Sequence, residues 1–74
     1  MSHPAITNKE DMQVARELAR AYSRLSSNDA EVRERADAQV ASSHRSLLSL
    51  RQHQPRRAEA ILGTALYLYK ASML

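Results

Sequence analysis

Seventy-four residues restrict the chain to one small domain, whose single core supplies only about 3–5 kcal/mol unaided. Having no cysteine excludes disulfides and thiolate metal sites, and a single glycine excludes a glycine-rich phosphate loop. The formal net charge of +3 is mild and acids lie among the bases, so nucleic-acid binding is permitted but not required.

Ala, Leu, Arg, Glu and Gln recur throughout, Phe and Trp are absent, and β-branched residues are few, which predicts an all-α fold. The expected architecture is a small helical hairpin or three-helix bundle with helices at about 8–26, 29–53 and 55–73. Residues 1–6 read as a flexible N-terminus and 7–74 as a single helical domain. The N-terminal stretch MSHPAI lacks the apolar core of a signal peptide.

The first helix opens at Thr7-Asn8-Lys9-Glu10, a capping-box spacing with Thr7 as the cap. Val14, Leu18, Ala21 and Leu25 then recur at helical spacing and mark its core face. Arg16, Arg20 and Arg24 form a second, cationic stripe. Ser26-Ser27-Asn28-Asp29 ends the element with turn and cap residues.

Asn28 or Ser27 is expected to cap the second helix, with Asp29–Arg33 and Glu31–Arg35 as supporting ion pairs. Its core stripe reads Val32, Ala36, Gln39 or Val40, Ser43, Leu47 and Leu50. The middle of this helix is small and polar, so it allows close approach but buries little. Gln52-His53-Gln54-Pro55 breaks the pattern, either as a turn into a new helix beginning at Pro55 or as a kink in one long helix.

The third helix is the most apolar. At about 100° per residue, Ala58, Ile61, Leu62, Ala65, Leu66, Leu68, Tyr69 and Met73 share an arc of roughly 160° suited to core packing. Opposite lie Ala60, Gly63, Tyr67, Ala71 and Leu74, where a solvent face would ordinarily carry charges. The expected packing residues are therefore Val14, Leu18, Leu25, Val32, Leu47, Leu50, Ile61, Leu62, Ala65, Leu68 and Tyr69. The expected partner-binding residues are Ala60, Gly63, Leu66, Tyr67 and Leu74. Tyr67 would serve as an aromatic anchor, and Gly63 would allow a close helix approach.

Chemistry-bearing constellations are sparse. His3, His44 and His53 lack the three- or four-residue spacing that puts two imidazoles on one helix face. The serines lack a glycine-framed nucleophile elbow. An enzyme is not expected, nor is a metal or any other cofactor. Arg16, Arg20, Arg24, Arg56 and Arg57 are the candidate phosphate contacts. The mixed charges of residues 31–37 and the apolar third helix leave few side chains to read bases.

The polar, Arg/Glu/Gln-rich helix, the break, and the closing "AEAILGTALYLYK" together resemble the small co-chaperones of type III secretion needle proteins. The resemblance covers roughly residues 30–73 and is one of size, architecture and helix texture. It implies a non-enzymatic protein-binding module that pairs with a second chaperone and, through it, keeps a polymerising needle subunit soluble. An apolar helix face would contact the partner, a homo-oligomer is admissible, and a bacterial cytoplasmic location follows. The alternatives are a small helical regulator or antiactivator that covers another protein's surface, and a minor nucleic-acid-binding protein using the arginine stripe. The apolar run from Ala58 is interrupted by Gly63, Thr64 and Lys70, so membrane insertion is not expected.

Overall fold

The computed structural model describes the backbone of residues 8–73 and the side chains of residues 8–71. Three helices occupy nearly all of it: α1, Lys9–Arg24; α2, Ala30–His53; α3, Pro55–Met73. Among the described residues there is no strand. The expected flexible N-terminus, Thr7 and Leu74 lie outside the described residues.

Local hydrogen bonding explains the boundaries. Asn8 has an extended backbone (φ −103°, ψ 128°), and its Oδ1 accepts from the Glu10 N–H at 2.8 Å. The Asn8 carbonyl accepts from the Met12 N–H at 3.1 Å, so Asn8 caps α1. The same holds one element later, where Asp29 rather than Asn28 or Ser27 caps α2. Asp29 Oδ1 accepts from the Glu31 N–H at 2.9 Å, and Ser27 Oγ accepts from the Asp29 N–H at 3.1 Å. The expected Asp29–Arg33 pair is displaced by this cap. Arg33 instead donates to the Ser27 carbonyl at 2.7 Å, and the one ion pair among the described residues is Asp11–Arg57.

Gln54 alone separates α2 from α3. Its N–H donates to the Leu50 carbonyl at 2.7 Å, and its own carbonyl accepts from the Ala58 N–H at 3.1 Å. Pro55 can start α3 because the first helical position needs no N–H partner and its φ is already fixed. The break is a turn, and α3 folds back along α2, bringing Ala58, Leu62 and Leu66 across from Leu47, Leu48 and His44.

Two contacts fix the order of the bundle. Asp11 and Arg57 join the starts of α1 and α3, and the rings of Tyr22 and Tyr69 join their far ends with centroids 5.7 Å apart. α1 and α3 therefore run parallel, with α2 antiparallel to both. The core cluster is Ala15, Leu18, Leu47, Ile61 and Ala65, with Tyr22, Val40 and Leu50 packed on it. Seven of the ten buried apolar residues are alanines, so the helices approach closely while burying few methylenes.

Several residues expected in the core lie outside it. Val14, Leu25 and Leu62 are 39%, 38% and 36% exposed. In α1 the buried face runs through Ala15, Leu18, Ala19 and Ala21, which leaves Val14 at its edge. Leu25 follows the last helical residue and caps it, beyond the packed length. In α3 the buried and half-buried residues are Arg57, Ala58, Ala60, Ile61, Thr64, Ala65, Leu68 and Tyr69. That face is rotated by roughly 60° from the expected one, at about 100° per residue. With Ile61 and Ala65 packed against Ala15 and Leu18 and Arg57 paired with Asp11, the Arg57 side of α3 faces α1 and the Leu62–Leu66 edge faces outward. Val32 and Leu50, like Leu68 and Tyr69, are half-buried.

Candidate protein-interaction surface

The outward edge of α3 and the neighbouring side of α2 form an open groove of about 560 Å³. Tyr22, the buried Leu47 and the buried Ala58 form its floor, and Leu48, Leu62 and Leu66 line it. Polar residues rim it: His44 at the end away from the Gln54 turn, Arg51 and Glu59 at the end near it. Leu48 is 59% exposed and Leu66 41%, with Tyr67 at 56% farther round α3. Several large apolar side chains thus face outward while only Leu18, Leu47 and Ile61 join the alanines among the buried apolar residues.

Tyr22 anchors the far end of the groove. Its hydroxyl shares a 2.7 Å hydrogen bond with His44 Nε2, and the two ring centroids are 5.9 Å apart. Burial pushes the Tyr22 phenol above its ordinary pKa, because a phenolate there would lose hydration. At the opposite end of the bundle Asp11 receives Arg57 in a two-point pair. Arg57 Nε donates to Asp11 Oδ2 at 2.7 Å and Nη2 donates to Oδ1 at 2.8 Å. The hydrogen bonds from Arg57, aided by its charge, hold the Asp11 carboxyl below the usual aspartate range, against the opposing effect of burial.

The expected partner-binding residues divide. Gly63, Leu66 and Tyr67 are exposed. Ala60 is buried at 7% exposure, because the rotation of α3 carries it inward, so it is removed from the surface set. A Cβ placed on Gly63 would meet nothing within 4 Å, so no neighbour in its own chain requires a glycine there.

The five candidate phosphate contacts do not form one site. Arg57 is committed to Asp11, while Arg16, Arg20 and Arg24 line the outer face of α1, which Arg56 does not share. Glu17 and Arg35 adjoin the stripe near Arg20 and Arg24. Among the described residues, no group of three or more His, Asp or Glu side chains is placed to hold a metal ion, and no helix is long and apolar enough to cross a membrane.

Leu48, Tyr22 and His44 belong to the groove although sequence periodicity singled out none of them. Leu48 stands about 100° from the α2 core stripe, so only its bulk in the run Leu47-Leu48 could have marked it. No family model matches the chain, and neither a curated protein nor a solved structure matches it.

Proposed function

We propose that the protein is a non-enzymatic protein-binding module whose α2–α3 groove receives an apolar helix of a partner chain. Its role would be that of the small co-chaperones of type III secretion needle proteins: pairing with a second chaperone in the bacterial cytoplasm to keep a needle subunit soluble. The observation that carries this reading is the set of large apolar side chains left at the surface, Leu48, Leu62, Leu66 and Tyr67, around a core in which alanines outnumber larger residues. Covering each half-exposed leucine would stabilise a complex by about 1 kcal/mol. Helix-in-groove recognition uses such anchors, and the groove's polar rim would set the partner's register.

Co-expression with the needle subunit and chaperone of its own genome tests this directly. A soluble stoichiometric complex is expected, and Leu48→Asp should disperse it without unfolding the chain. A needle subunit that polymerises equally with and without the protein would overturn the co-chaperone role. A regulatory protein recovered in the groove instead would favour the antiactivator alternative.

The exposed Arg16, Arg20 and Arg24 favour a second reading, weak nucleic-acid binding. It requires an affinity that falls steeply with salt, and DNA retention unaffected by salt would remove it.

A further inference from the structure

The exposed face of α3 carries a pattern that reads the same from both ends. Glu59, Leu62, Gly63, Leu66, Tyr67 and Lys70 are all exposed, at steps of three, one, three, one and three residues. At about 100° per residue they lie on one continuous face spanning about 16 Å. The acid stands at the N-terminal end, the base at the C-terminal end, and the apolar residues between. Among the described residues neither Glu59 nor Lys70 has an ion-pair partner.

We propose that this face binds a second copy of the chain, α3 against α3 in antiparallel register, about a two-fold axis midway between Thr64 and Ala65. The proposal rests on reading this surface as an interaction surface and names one occupant for it. In that register Glu59 of each copy meets Lys70 of the other, Leu62 meets Tyr67, and Gly63 meets Leu66. A two-fold interface must be self-complementary, and opposite charges at equal distances from the axis meet that condition. A parallel pairing in register would instead place Glu59 on Glu59 and Lys70 on Lys70.

Gly63 supplies a second, independent reason. Glycine within a helix weakens it relative to alanine, and nothing in the chain's own packing occupies the space above Gly63. In the antiparallel pair that space receives the Leu66 side chain of the other copy, and the missing Cβ lets the two helices close together. Glu59, Leu62 and Leu66 belong to both the groove and the mirrored set, so self-pairing and partner binding compete for this edge of α3, whereas Leu47 and Leu48 on α2 belong to the groove alone.

Analytical ultracentrifugation of the full chain, with Glu59→Lys, Lys70→Glu and the double exchange, tests the register. Each single reversal puts like charges together twice across the axis and should weaken the dimer at least about tenfold. The double exchange should restore it to within about threefold. Gly63→Leu should yield a monomer of unchanged helicity, because a side chain fits the isolated helix but collides with Leu66 of the other copy. All three sites are exposed, and circular dichroism confirms that each variant folds. A wild-type chain that stays monomeric at millimolar concentration overturns the proposal, as does a double exchange no tighter than the single variants. A monomeric wild type that still binds a partner helix through Leu48 would discard self-pairing alone and leave the groove reading standing.

Discussion

Asp11 and Gly63 show how single residues set the limits of this fold. The Asp11 carboxyl is held low by Arg57, so its contribution to stability is complete above the unfolded aspartate value and is lost as pH falls through the depressed folded value. Thermal unfolding followed from about pH 4 downward should therefore show a loss of stability that Asp11→Asn lacks. If both chains fall in parallel, the pair contributes nothing to acid sensitivity. Gly63→Ala should stabilise the dilute, monomeric chain by about 0.8–1 kcal/mol, measured by urea unfolding, because the helix gains propensity and the methyl meets no neighbour. At this scale the sequence was only partly legible. Gly63 was visible as an anomaly, whereas the partnership of Asp11 with Arg57, 46 positions apart, depends on α1 and α3 running parallel.

Helix ends follow rules that are local, and for that reason they were readable within two residues. Each cap sits one residue or two beyond the one expected, because Ser, Thr, Asn and Asp stand side by side and all can accept a backbone N–H. The observed choices are Asn8 and Asp29, each accepting from the N–H two residues on. Asp29→Ala should cost about 1 kcal/mol in chemical denaturation, through loss of the bond from the Glu31 N–H. The single-residue link at Gln54 was legible as a break, but not as a reversal. A proline at a first helical position suits either a turn or a kinked continuation, and the packing of α3 along α2 decides for the turn.

For the whole molecule, the alanine-rich core makes helix spacing the sensitive quantity. Ala65, fully buried in the core cluster, should tolerate enlargement poorly: Ala65→Leu is expected to cost about 1–3 kcal/mol by forcing the helices apart. Leu48→Asp, at a position 59% exposed, should change folding stability by no more than about 0.5 kcal/mol while removing partner binding. Measuring melting and binding on the same two variants separates core from surface. The groove was illegible beforehand because the apolar arc of α3 covers nearly half of the helix circumference and small or apolar residues also lie opposite it. Such a wide arc does not say which part meets the neighbours.

Composition and local pattern by themselves determined an all-α fold, its breaks to within two residues and the outward chemistry of the arginine stripe, because propensity, capping and breaks act over a few residues. They also determined that this chain carries unusually large apolar side chains on its last helix. Only the tertiary structure decided how far that helix is rotated. Ile61 and Ala65 pack into the core beside Leu18 and Leu47, the Asp11–Arg57 pair lies on the same side, and Ala60 and Thr64 are turned inward while Leu62 and Leu66 stay at the surface. Rotation about a helix axis is fixed by such long-range contacts, and no local rule contains them.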